Sequence, residues 1–253
     1  MKFTRIVNSE WIKFSSLRSS WITLAITIVV QISFGALLGW DQGQSFATLD
    51  EEGRARSSVL EGYILAQLVI GVLGVLFVSG EYGTGMIRST LTAVPRRTPV
   101  VLAKLIVFGA VALVSMSVAA VGAFYAGQAV LSSYGHASSV TAAGVFRSIL
   151  GTAVYLAVVG LIGGALGWIF RSTAGGIATL FGLLLVIPLM MQTLSWTWLT
   201  DLGKYLPSEA GGSIISTYQV PGSLTPGTGL IVLLGWVLAT LVAAVVLLKR
   251  RDV

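Results

Sequence analysis

Six apolar runs, broken by polar and glycine-rich stretches, organise this chain: residues 20–39, 62–80, 105–131, 149–170, 174–194 and 228–248. A hydrocarbon core about 30 Å thick takes roughly 20 apolar residues to cross as a helix. Backbone groups in lipid find no water, so each run must satisfy its own hydrogen bonds as a helix. The pattern therefore predicts an all-α polytopic membrane protein in one transmembrane domain, residues 1–253. Before the first run, Phe3, Val7, Trp11, Phe14, Leu17 and Trp21 recur at steps of three and four. That spacing makes one face of a helix over 1–19, with Lys2, Arg5, Lys13 and Arg18 mostly off the stripe. Aromatic residues on one side and cations on the other suit a helix lying in the membrane interface. The first run is longer than a signal-peptide core, so it is expected to stay as a span.

Composition agrees with this pattern. Of 253 residues, 55% are hydrophobic and 10% charged, against about 25% charged in a soluble domain. Six spans use the length, leaving no room for a soluble catalytic domain. Cysteine is absent, which excludes disulfides and thiolate chemistry. The net charge of +6 is assigned to lipid headgroups rather than to nucleic acid. With both termini inside, twelve cations fall on the inner side: Lys2, Arg5, Lys13, Arg18, Arg88, Arg96, Arg97, Lys104, Arg171, Lys249, Arg250 and Arg251. Only Arg54, Arg56, Arg147 and Lys204 fall outside. The positive-inside rule then puts both termini in the cytoplasm of a multi-pass cell-membrane protein.

The inner segment after the second run carries the most information. It reads Gly80-Glu81-Tyr82-Gly83-Thr84-Gly85-Met86-Ile87-Arg88 and continues through Leu91 and Val94 to Pro95-Arg96-Arg97. Ile87, Leu91 and Val94 mark one face of a short helix within 83–94, which Pro95 stops. Its cations make it a docking surface for a soluble cytoplasmic partner, or a lipid contact. Gly160/Gly164 and Gly163/Gly167 form two Gly-x-x-x-Gly pairs in the fourth run, a spacing that lets helices approach closely. Pro188 predicts a kink in the fifth run. The stretch 195–227, with Trp196, Trp198, Tyr205 and Tyr218, is expected to hold short outer re-entrant helices.

Chemistry is sparse. No ionisable residue falls deep in a run: Glu61, Glu81, Arg147 and Arg171 sit at run ends, and Lys104 just outside one. Ion-coupled carriers place such groups at mid-membrane, so that class is disfavoured. There is no P-loop, and no catalytic or metal-ligating set. Glu51-Glu52-Gly53-Arg54-Ala55-Arg56 fits an intramembrane-protease pattern by chance, since its required histidines are missing and His136 stands alone in a loop. Gln31, Gln67, Gln128 and Gln192 are read as interhelical hydrogen-bonding groups.

In order and spacing, these elements resemble the type-2 ATP-binding-cassette (ABC) permeases. The likeness is carried by Glu81-Tyr82-Gly83-Thr84-Gly85-Met86-Ile87-Arg88 with Pro95-Arg96-Arg97 and Lys104, by Tyr205-Leu206-Pro207 to Gly211, and by Gly160 to Arg171. It implies the membrane subunit of an ATP-driven exporter, working as a homodimer or beside a related permease. ATP would be bound by a separate cytoplasmic ATPase, with no cofactor on this chain. The implied ATPase-coupling residues are Glu81, Gly83, Gly85, Ile87, Arg88, Leu91, Arg96 and Arg97, with Glu81 expected to hydrogen-bond the N-terminus of the short helix. The implied path residues are Tyr63, Gln67, Val186, Pro188, Met191 and Gln192, suited to a hydrophobic or amphipathic drug, antibiotic or peptide. The alternative is a non-transporting immunity or sensor protein that only captures its ligand, motivated by the outer aromatic stretch.

Overall fold

A computed structural model describes residues 2–46, 59–94, 97–194, 196–219 and 221–250. Helix α1 (Phe3–Ser16) is followed after Leu17 by α2 (Arg18–Ser45). Leu17 is extended, with φ −86° and ψ 104°, and supplies the bend between them. The remaining long helices are α3 (Tyr63–Gly83), α5 (Arg97–Ser133), α6 (Val145–Phe170) and α11 (Pro226–Arg250). A composite crossing is made of α7 (Thr173–Phe181), a π turn and α8 (Ile187–Thr193). Among the described residues these make six stretches long and apolar enough to cross a membrane, and no strand. The all-α polytopic fold expected from the apolar pattern is the fold observed. Three short helices complete it: α4 (Met86–Ala93), α9 (Thr197–Gly203) and α10 (Pro207–Ile215).

The helices outrun the apolar runs that announce them. The third begins at Arg97, not at 105, because Pro99 lies in its first turn, where a missing N–H costs little. This carries Lys104 inside a helix instead of into a flanking loop. The kink expected at Pro188 takes the form of a π turn, Gly182–Val186, just before it. Proline cannot donate to the preceding turn and its ring crowds the i−4 carbonyl, so a widened turn relieves both.

Helix α6 is the axis of the bundle. Its most apolar stretch is 83% buried within this one chain, whereas that of α11 is 11% buried. The closest approach is between α3 and α6. A Cβ on Gly74 would lie well inside 3.0 Å of the Gly160 carbonyl oxygen, and one on Gly163 equally close to that of Gly71. The fourth-run glycines thus meet glycines of α3. A second close pair joins α2 to α5, with Gly35 against Ala123 and Gly39 against Gly127. At the end of α6, Arg171 takes a left-handed conformation (φ 52°), and Ser172 caps α7 by accepting from the Gly175 amide at 3.4 Å.

Helix α10 and the residues just after it fold back onto the bundle. Arg147 of α6 donates to the carbonyls of Ile214 and Ser216, both at 2.9 Å, and Ser148 donates to that of Ile215. Gly211 of α10 lies directly under the Tyr155 ring, where a side chain would not fit.

Gly163→Val is expected to destabilise the protein by about 3 kcal/mol or more, since backbone must move to admit it. Gly80→Ala, which faces open space in α3, is expected to leave the midpoint unchanged or slightly higher. Tryptophan-monitored thermal unfolding in detergent distinguishes the two.

Candidate functional site

The short helix α4 and the residues that hold it form the most unusual site in the molecule. It begins with α1. The expected stripe does not act as one face: Phe3 (42% exposed), Trp11 (45%), Leu17 and Trp21 point outward. Ile6, Glu10 and Phe14 are buried against the bundle. Ile6, Glu10 and Phe14 are themselves spaced by four, so an acid occupies an otherwise apolar helical step. That misplaced acid is the signal the stripe obscured.

Glu10, only 1% exposed, pairs with two cations that both also reach Glu81. Lys13 Nζ lies 2.7 Å from Glu10 Oε1 and 2.9 Å from Glu81 Oε1. Lys104 Nζ lies 2.8 Å from Glu10 Oε2 and 3.0 Å from Glu81 Oε1. Lys104 also donates to the Phe77 carbonyl at 3.3 Å and sits 4.0 Å from the centre of the Phe77 ring. Two acids and two bases make a neutral, alternating cluster. Glu81 and Lys104 are 4% and 2% exposed. Lys104, expected just outside the third run, lies instead inside α5 and is buried. The expectation for the Glu81 side chain is corrected too. It accepts from Lys13 and Lys104, while α4 starts from Gly85 with no side-chain cap. Two full opposite charges at hydrogen-bonding distance outweigh the partial charge of a helix end.

The cluster reaches α4 directly. Lys13 Nζ donates to Thr90 Oγ1 at 3.1 Å. Burial alone would lower the Lys13 pKa, but the hydrogen bonds and charges of Glu10 and Glu81 outweigh it and hold the ammonium above its usual 10.5. Apolar contacts hold the other side of α4: Ile87 is 3% exposed in a core with Ile6, Val78, Val101 and Trp168, and Leu91 and Val94 pack against it. Ile87 and Leu91 therefore anchor α4 to its own subunit. The outward face is Met86, Arg88, Ser89 and Thr92.

The other coupling residues lie around it. Gly83 ends α3 with open space beside it, and Gly85 takes φ 72°, a conformation that glycine adopts without strain. Arg97 donates to the Leu248 carbonyl, tying α5 to α11. Arg171 stands over the Tyr82 ring at 5.6 Å. Arg96 and Pro95 lie outside the described residues, as do Glu51–Arg56.

The six path residues are not brought to one wall. Gln67 is buried and accepts from the Tyr155 hydroxyl; Tyr63 packs edge-on to Tyr155 with ring centres 5.5 Å apart. Both are engaged inside the subunit. Pro188, Met191 and Gln192 line a cavity of about 240 Å³ with Leu206, Glu209 and Leu224. Val186 is exposed and does not line that cavity. His136 stacks on Phe46 with ring centres 3.7 Å apart, beside a second outer cavity.

A family model described as "ABC-2 family transporter protein" matches residues 6–188, from α1 through the charge cluster and α4 to Pro188. No curated protein matches the chain.

Lys104→Met leaves two buried carboxylates sharing the single ammonium of Lys13 and is expected to cost about 3 kcal/mol. Adding Glu81→Gln restores neutrality and is expected to recover a substantial part of that loss; thermal unfolding of the single and double variants reads the coupling. The raised Lys13 pKa gives a second expectation. Its contribution is complete below the unfolded value near 10.5 and disappears as pH rises through the higher folded value. Trp11 accessibility to a soluble quencher, taken as a measure of α1 docking, should change only above pH 10.5.

Proposed function

Because the chain belongs to the ABC-2 family of membrane transporter proteins, we propose that it is the membrane-spanning subunit of an ATP-driven exporter. An ABC-2 permease of this kind is a multi-pass membrane protein that associates with an ABC ATPase. In our reading the ATPase subunits bind and hydrolyse ATP on the cytoplasmic side, where α4, both termini and most of the cations lie. They grip the outward face of α4 at Met86, Arg88, Ser89 and Thr92. Two copies of the chain, or one beside a related permease, enclose the path. Cargo is a hydrophobic or amphipathic small molecule, drug or peptide.

The observation that carries this reading is the charge cluster. Glu81 lies in the last turn of α3, Lys104 inside α5, and Glu10 and Lys13 on α1. A push on α4 reaches Lys13 through Thr90 and the apolar core through Ile87. In our reading three other helices are linked through one largely buried ionic contact, so they move with α4 rather than independently. Separating those charges would expose them unpaired to a low-dielectric interior, at a cost of several kcal/mol. A module that only captures a ligand has no use for an arm tied in this way, which favours transport.

Arg88→Glu with Ser89→Trp is expected to abolish co-purification of the ATPase while leaving the thermal midpoint of the permease unchanged, since both side chains face outward. Orientation has its own check. The chain has no native cysteine, so a single Ser89→Cys should react with an impermeant maleimide only from the cytoplasmic side. Labelling from outside would overturn the arrangement.

A further inference from the structure

The cavity at the outer end of the composite crossing contains chemistry that the coupling site does not use. It measures about 240 Å³ and lies between α8, α9 and α10. Pro188, Met191, Leu206 and Leu224 give it an apolar wall. Glu209 supplies its rim. One oxygen of that carboxylate, Oε1, accepts from Gln192 Nε2 at 3.3 Å, and an amide leaves the negative charge in place. Lys204 also lines the cavity, but its ammonium is paired with Asp201 Oδ1 at 3.1 Å. On the far side of Glu209, Arg147 directs its guanidinium to the Ile214 and Ser216 carbonyls. Among the described residues no cation comes within salt-bridge distance of Glu209.

We propose that this cavity binds a lipophilic organic monocation, its charge against Glu209 and its apolar body against Met191, Pro188 and Leu224. A carboxylate at the rim, exposed but with no cation paired to it among the described residues, beside an apolar wall attracts a cation and repels an anion of the same shape. The polarisable, flexible Met191 adapts to varied apolar bodies. A metal ion does not fit the donor set: one carboxylate beside an amide N–H falls short of the roughly six oxygens that calcium or magnesium requires. Describing the ligand as cargo at an exit-side station rests on the exporter reading; its binding does not.

The test uses the purified full chain in detergent, with tetraphenylphosphonium as cation and tetraphenylborate as an anion of matched shape. Equilibrium dialysis is expected to show one saturable phosphonium per chain, with the borate at least tenfold weaker. Glu209→Gln should weaken the phosphonium at least tenfold and reduce the preference over borate. A second variant needs no change of charge. A Cβ on Gly203 meets Met191 Sδ at an ordinary 3.5 Å, so Gly203→Leu directs a side chain into the cavity and should block binding. Equal binding of the two probes by the wild type would overturn the proposal, as would wild-type phosphonium affinity in Gly203→Leu. Normal phosphonium binding in a chain that never co-purifies with an ATPase would leave the cavity standing and sink the cargo assignment instead.

Discussion

Three buried charges and a half-buried fourth, of zero net sum, constrain the rest of this structure. Each acid of Glu10 and Glu81 touches both bases, and Lys13 and Lys104 each touch both acids. Taking such groups out of water costs several kcal/mol apiece unless the partners stay in place. The cluster therefore sets relative positions rather than adding much net stability. It fixes the rotation of α1, the depth of Lys104 in α5 and the end of α3, and through Thr90 it fixes the seat of α4. The apolar core around Ile87 and Trp168 fills the space beside it, so ionic and packing constraints agree on a single arrangement.

The glycine contacts serve a different purpose at the centre of the bundle. In lipid there is no hydrophobic gain from bringing apolar helices together, so close packing must supply the attraction. Gly71 and Gly74 of α3 let that helix lie against Gly160 and Gly163 of α6 at backbone distance. This gives α6 a rigid seat and leaves α11 and much of α7 and α8 exposed to lipid or to a second subunit. A tight central pair beside looser outer helices suits a permease whose moving parts must shift against a fixed axis.

Several features were legible from single residues. Gln31 donates to the Leu60 carbonyl, Gln67 accepts from Tyr155, and Gln192 donates to Glu209, as isolated amides in apolar helices require. The kink at Pro188 and the short helix ending before Pro95 followed from proline's missing donor and from its effect on the preceding residue. Other features were hidden by the rules used to find them. Counting cations at run ends placed Lys104 in a loop, because hydropathy marks where apolar residues stop, not where the helix starts. The aromatic spacing of α1 was real, but its members divide: Phe3, Trp11 and Trp21 face outward while Phe14 is buried in the core. Burial of Glu10 depended on Lys104, 94 positions away in sequence, as well as on the nearby Lys13, and no local pattern contains the former.

Local rules thus determined the number of crossings, their helical state, the break at Gly83–Gly85 and the amphipathic character of α1 and α4, because these follow from hydropathy, period and backbone freedom within a few residues. Tertiary structure alone decided which face of each helix points inward. It buried Ile87 against the bundle as the anchor of α4, and it paired Gly74 with Gly160. It also brought charges from three separate helices into one largely buried contact. Those outcomes depend on relative rotation and depth of helices, quantities set only when the whole bundle satisfies its charges and closes its gaps together.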